Sequence, residues 1–206
     1  MSRPIAFFDF DGTLTYSDTL VPFLRILRGL PQFSLDLLKV SPWLAGYALR
    51  LVQNDKAKQI LLKQSLGTHK IIELDYYGSR FAKQHLPDMI RPDTFERLRT
   101  HQRNGDCCVL VSASLNIYLE PWINKNGLDY CLSSSLETDT DNKVTGQLLG
   151  GNCYGEEKVK RIKKLIQEIG TPSKTYAYGN SKGDIPMLNF VDEGYWVDDK
   201  ITRFSG

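Results

Sequence analysis

The run Ile5-Ala6-Phe7-Phe8-Asp9-Phe10-Asp11-Gly12-Thr13 decides the fold. Four apolar residues stop abruptly at two nearby carboxylates, the pattern of a buried strand whose carboxyl end opens onto a crevice. Two carboxylates one residue apart can hold a divalent cation together with a neighbouring backbone carbonyl. They can equally be a helix-capping turn or a solvated surface pair. Gly12 permits close backbone approach, and the Thr13 hydroxyl can donate to an oxyanion.

Two further runs repeat the pattern. Cys107-Cys108-Val109-Leu110-Val111 ends at Ser112-Ala113-Ser114, and Thr175-Tyr176-Ala177-Tyr178 ends at Gly179-Asn180-Ser181. Helical patterns follow over 114–126, 156–169 and 182–191, with Val159, Ile162, Leu165, Ile166 and Ile169 at helical spacing. Strands alternating with helices predict an α/β fold, a Rossmann-like parallel sheet flanked by helices. In such sheets ligands sit beyond the carboxyl ends of the strands, so the three endings should converge on one site.

Between the first two strand runs lie roughly ninety residues of helical periodicity, far more than an ordinary βα connection. The expectation is an inserted helical cap over 18–87, with a Rossmann-like core formed by 1–17 and 88–206. One helix is expected after Asp18, one over 35–52 broken at Pro42, one over 55–66 and one over 70–84. Residues 133–149, with Thr138-Asp139-Thr140-Asp141-Asn142 in the middle, predict a small β-hairpin.

Composition excludes several classes. The net charge of +2 is small and Lys and Arg are spread along the chain, so no nucleic-acid partner is implied. Cys107, Cys108, Cys131 and Cys153 show no C-x-x-C spacing, and the N-terminus lacks a secretory pattern, which together predict a reduced, cytoplasmic setting. The apolar stretch 40–52 contains Pro42 and Arg50 and falls short of the roughly 20 residues that cross a bilayer. No transmembrane segment is expected; peripheral contact of residues 42–52 with lipid is compatible with that length.

Asp9-Phe10-Asp11-Gly12-Thr13-Leu14 resembles the first motif of the haloacid dehalogenase-like superfamily in its phosphatase form. Val109-Leu110-Val111-Ser112 is similar to its second motif, Lys158 in Gly155-Glu156-Glu157-Lys158-Val159 to its third, and Gly179-Asn180-Ser181-Lys182-Gly183-Asp184 to its fourth. The four stand in the family's order across nearly the whole core.

The resemblance implies a Mg²⁺-dependent phosphatase. Asp9 would attack phosphorus to form an aspartyl-phosphate, and Asp11 would serve as general acid and then general base. Ser112, Ala113 and Thr13, with the backbone N–H groups opening the next helix, would bind phosphoryl oxygens. Lys158 would neutralise their charge. Mg²⁺ would be held by Asp9, Asp11, Asn180 and Asp184. Asn180 departs from the family's usual Asp and brings no charge to the metal. Outside the motif order, Ser112 reads more readily as a helix cap and Lys158 as a solvated lysine, and Asn180 reads as a turn residue.

The long insertion and late hairpin look like the branch that includes phosphoserine phosphatase. Asp18 falls where those enzymes carry a substrate-binding Glu, but Lys56-Ala57-Lys58-Gln59 offers no match to their cap arginine. Phe23, Trp43, Tyr47, Tyr76 and Tyr77 are candidates for the cap's inner face, although aromatics at helical spacing are more often core. The expected partner is a small phosphorylated metabolite or lipid head group. A phosphotransferase using the same intermediate, and a non-catalytic phosphate-binding module, remain the alternatives.

Overall fold

Strand β1 (Ile5–Phe8) is buried at all four positions, which is why it reads as a continuous apolar run rather than an alternating one. The structure, a computed structural model, describes residues 2–67 and 69–205. Strands β2 (Cys107–Leu115) and β5 (Thr175–Gly179) flank β1 in parallel register. With β3 (Tyr130–Thr138), β4 (Val144–Leu149), β6 (Glu193–Val197) and β7 (Ile201–Arg203) they form a seven-stranded sheet ordered β4-β3-β2-β1-β5-β6-β7. The outermost strands β4 and β7 are antiparallel to their neighbours.

The period of two along the strands divides the core between the sheet's faces. Ala6, Phe8, Cys108 and Leu110 join one cluster, with Leu98 from helix α5 (Pro92–Arg103) and Trp122 from α6 (Asn116–Asn126). Ile5, Phe7, Cys107 and Val109 join the other, with Ile162 and Leu165 from α7 (Glu156–Ile169) and Met187 from α8 (Ile185–Phe190). The expected α/β architecture is present.

Helices α1 (Leu20–Arg28), α2 (Leu30–Ala48), α3 (Asn54–Leu66) and α4 (Ile71–Gln84) fill the long connection. The chain leaves and re-enters the core at one point, where the Tyr16 N–H donates to the Met89 carbonyl and that of Arg91 to the Leu14 carbonyl, at 2.9 and 2.8 Å. The hairpin β3-β4 braces the insertion: the Val144 N–H reaches the His69 carbonyl, and a Cβ on Gly146 would sit 2.4 Å from Lys63 Cα. On the other side α4 packs on α6 so closely that a Cβ on Gly78 would lie 2.2 Å from the Ile117 carbonyl oxygen. That carbonyl is four residues before Pro121, which has no N–H to engage it, so glycine is the residue that fits against it.

Four expected boundaries are corrected. Helix α2 starts at Leu30, not Leu35, and runs unbroken through Pro42 to Ala48. Pro42 cannot donate to the Leu38 carbonyl, but the Ser41 hydroxyl does so at 2.8 Å, so the helix loses no partner there. Strand β2 continues through Ser112-Ala113-Ser114 with a register shift, and α6 begins only at Asn116. The helix expected over 182–191 is limited to 185–190. The hairpin turn is as expected, with Asp139 Oδ1 accepting from the N–H groups of Asp141 and Lys143 at 2.9 Å. Among the described residues no helix is long and apolar enough to cross a membrane.

Candidate active site

Asp9 leaves the end of β1 with its carboxylate buried. Its Oδ1 accepts from Lys158 Nζ at 2.6 Å and its Oδ2 from Thr13 Oγ1 at 3.0 Å. Lys158, in the first turn of α7, also donates to Asp184 Oδ1 at 2.6 Å and to the Val111 carbonyl at 2.8 Å, so all three of its N–H bonds are used. Three of the four motifs thus meet on one ammonium. Burial pushes the Asp9 carboxyl up, the nearby Asp184 adds to it, and Lys158 only partly offsets both, leaving Asp9 at about 7. Burial also raises Asp184, but Lys158 outweighs it and holds that group below the usual carboxylate range.

Asp11 points away from this cluster. Its Oδ1 accepts from the Thr19 N–H and hydroxyl at 2.9 and 2.6 Å, and its Oδ2 from the Ser114 hydroxyl. Burial, then Asp18, raise its carboxyl to about 6 against these hydrogen bonds. A group titrating there can both release and accept a proton near neutrality.

Ser112 and Ala113 line the cavity, but not at a helix start as expected; they lie in the irregular end of β2, and the Ser114 N–H is taken up by Ser112 Oγ at 3.0 Å. Thr13 is fully buried beneath Asp9 and is not among the residues lining this cavity; its hydroxyl faces Asp9 and Asn180. Thr13 Oγ1 lies 3.0 Å from Asp9 Oδ2 and 3.3 Å from Asn180 Oδ1, which brings those two oxygens around one small space. Asp184 Oδ2 accepts from the N–H groups of Asn180 and Ser181 and from the Ser181 hydroxyl, fixing the loop that carries Asn180. Gly12, at φ 79°, is pressed against Asn180; a Cβ there would meet Nδ2 at 2.0 Å.

These groups floor a cavity of about 540 Å³ roofed by the insertion. Asp18 stands exposed at its rim, where Oδ1 accepts from the Val21 N–H at the start of α1. Of the five candidate aromatics, Tyr47 lines this cavity. Phe23 is core, packed on Phe81 and Tyr118, while Trp43, Tyr76 and Tyr77 are exposed elsewhere. Tyr16 and Tyr154 are the aromatic lining that the sequence reading missed.

It also missed Lys58. From α3 this side chain reaches down to the Ala113 carbonyl and, at 2.8 Å, to Asn152 Oδ1, placing a cap-borne cation over the strand ends. Burial lowers its ammonium to about 8, with Asp11 and Asp18 opposing. The signal was present: Lys58 precedes the buried Leu61, Leu62 and Ser65 by three, four and seven residues, so it shares their inward face.

A buried aspartate at the end of a central parallel strand, beside a second carboxylate and under an inserted helical unit, defines a capped α/β hydrolase. The chain belongs to the haloacid dehalogenase-like hydrolase family, whose model matches residues 6–189. It is therefore an enzyme of a hydrolase family, with phosphatases among its relatives. Protein CicA of Caulobacter vibrioides is 32% identical over 192 residues, covering 92% of this chain and 84% of that protein. A histidinol-phosphatase of Neisseria meningitidis is 27% identical over 197 residues, covering 93% and 88%. The fold also matches a phosphoserine phosphatase solved as an analogue of its phospho-aspartyl intermediate, with a TM-score of 0.64, 19% identity and coverage of 94% and 86%.

Proposed function

We propose that the chain hydrolyses phosphate monoesters of small metabolites or head groups by covalent catalysis at Asp9. The observation that carries this is the buried Asp9 carboxylate on the cavity floor, gripped by Lys158 at 2.6 Å, with Asp11 beside it. Asp9 attacks phosphorus while the bond to the leaving oxygen breaks, and Asp11 gives that oxygen a proton. Asp11 then takes a proton from water, the water oxygen attacks the aspartyl-phosphate, and phosphate leaves with Asp9 regenerated. Ser112 and Ala113 seat the phosphoryl oxygens, and Lys158 balances their charge. The cap over 18–87 closes the cavity, Asp18 at its rim meets the leaving group, and bulk water is kept out until the leaving group has gone. The histidinol-phosphatase relative supports a small phosphorylated substrate, and four free cysteines, three of them buried, suit a reducing cytoplasm.

No three His, Cys, Asp or Glu side chains form a metal cage among the described residues. The oxygens of Asp9 and Asn180 gathered around Thr13 still fit Mg²⁺, which keeps several of its waters, and the resemblance adds the Asp11 carbonyl to them. These residues would hold the ion, with Asp184 positioning the Asn180 loop and any metal-bound water. Mg²⁺ would supply charge stabilisation on the phosphoryl oxygens. Phosphate release from para-nitrophenyl phosphate is expected to fall about 100-fold or more in excess chelator and to return with Mg²⁺. Undiminished release in chelator would refute the proposal.

The raised carboxyls predict a pH signature. Folded values of about 7 for Asp9 and about 6 for Asp11 exceed the ordinary 3.8, so the stability they allow is complete below pH ~4 and lost as pH rises through 6 and 7. Asp184, lowered, acts in the opposite sense but only below that window. The chelated protein should melt roughly 5–10 °C lower at pH 8 than at pH 5. Millimolar Mg²⁺ should recover most of the difference at pH 8 and little at pH 5. Calorimetry showing equal Mg²⁺ stabilisation at both pH values would place the ion elsewhere.

A further inference from the structure

Helix α2 is apolar nearly all the way round, with Asp36 and Lys39 its only charged residues. A helix of that composition belongs inside a protein, with neighbours on every side. Here only Phe33, Asp36 and Val40 are buried. Leu35 and Leu38 stand 53% and 70% exposed, and beyond the helix end Leu49 and Leu51 reach 71% and 80%. Leu35, Leu38, Pro42, Ala45 and Leu49 recur at steps of three and four, so they lie along one face. Arg50, held at φ 62° in a left-handed turn, carries the apolar surface on to Leu51. A continuous exposed surface of this kind marks an interaction site.

Its charge narrows the partner. Residues 19–53 contain one acid, Asp36, and it is fully buried, bonded to Arg28 at 2.8 Å and to Gln32 and Gln64. The exposed charges of this stretch are Arg25, Lys39 and Arg50. Trp43, 42% exposed, adds an amphipathic ring of the type that favours a membrane interface.

We propose that this face of the insertion docks on an anionic lipid bilayer. Helix α2 lies along the interface with its leucines at the acyl boundary, and Lys39 and Arg50 engage the headgroups. A second copy of the chain suits the face less well, because a two-fold pairing sets these positive charges against each other with no exposed acid in the stretch to answer them. Leu44 and Tyr47 of the same helix line the cavity, so docking brings the cavity close to the membrane surface.

Co-sedimentation of the full chain with vesicles tests the docking independently of catalysis. Vesicles mixing phosphatidylglycerol with phosphatidylcholine should pellet the protein, and pure phosphatidylcholine should pellet far less. Binding should weaken steeply in high salt, as the Debye length shrinks to about 3 Å at 1 M. Leu38→Glu/Leu49→Glu and Lys39→Glu/Arg50→Glu should each lower binding at least about tenfold while melting temperature and aryl-phosphate turnover stay unchanged. The proposal is overturned by equal pelleting of the wild type and these variants, or by no pelleting at all. It is likewise overturned if light scattering shows a dimer that the leucine variant splits, since the occupant is then a second copy.

Discussion

Asp9→Asn should abolish phosphate release, lowering kcat by roughly four orders of magnitude, while leaving a folded protein. A neutral amide has no lone pair basic enough to attack phosphorus at neutral pH, and nothing else on the cavity floor can replace it. Lys158 and Asp11 are committed to hydrogen bonds, and Ser112 Oγ accepts from the Ser114 N–H. The size of the substitution is minimal and the Lys158 contact survives through the amide oxygen. Stability should move the other way. The Asp9 charge is opposed by burial and by Asp184, so removing it relieves the metal-free protein above pH 7 and should raise its melting temperature there. Loss of turnover together with a higher melting temperature separates a missing nucleophile from a damaged fold. If Asp9→Asn retained a tenth of the activity, the covalent route would be wrong.

Much of this site was legible before any coordinates because it is built from strand ends. A strand buried on both faces must be apolar throughout, so Ile5–Phe8 and Cys107–Val111 announce themselves, and whatever polar residues follow them are delivered to one edge of the sheet. Asp9, Asp11, Ser112 and Asn180 stand at such ends, Lys158 and Asp184 follow only from the order of the family's motifs, and all six line one cavity. What was illegible depends on partners remote in sequence or on single hydrogen bonds. The helix runs on through Pro42 with Ser41 taking over the Leu38 carbonyl, a substitution no periodicity reveals. Thr13 sits one turn past Asp9 and looked available to phosphate, yet the chain folds it beneath the carboxylate. Lys58 does not match the cap arginine of the phosphoserine phosphatases, and it is its own helix, with Leu61, Leu62 and Ser65 buried, that shows which way it faces.

The second large effect is expected at Lys158. Its ammonium joins Asp9 to Asp184, at 2.6 Å from each, with side chains 8% and 1% exposed. Replacing it by Met keeps much of the stem's volume but leaves two buried carboxylates facing each other and the Val111 carbonyl without its donor. Breaking a buried pair in this way costs about 3–5 kcal/mol. Because Lys158 holds Asp184 down and restrains Asp9, both carboxyls should rise in the variant and one should take up a proton. The instability of Lys158→Met should therefore be mild at pH 5 and severe at pH 8, the sign required of groups whose folded values lie above the unfolded one. Activity separates electrostatics from scaffolding. At pH 5.5, where the variant stays folded, kcat should still be lower than wild type by about 10²–10³, since the cation bonded directly to Asp9, where charge gathers on the phosphoryl oxygens, is lost. Lys158→Arg should not restore it, because a planar guanidinium cannot aim three donors at Asp9, Asp184 and Val111 within the space of one ammonium. Wild-type kcat in folded Lys158→Met would reduce Lys158 to a structural tie.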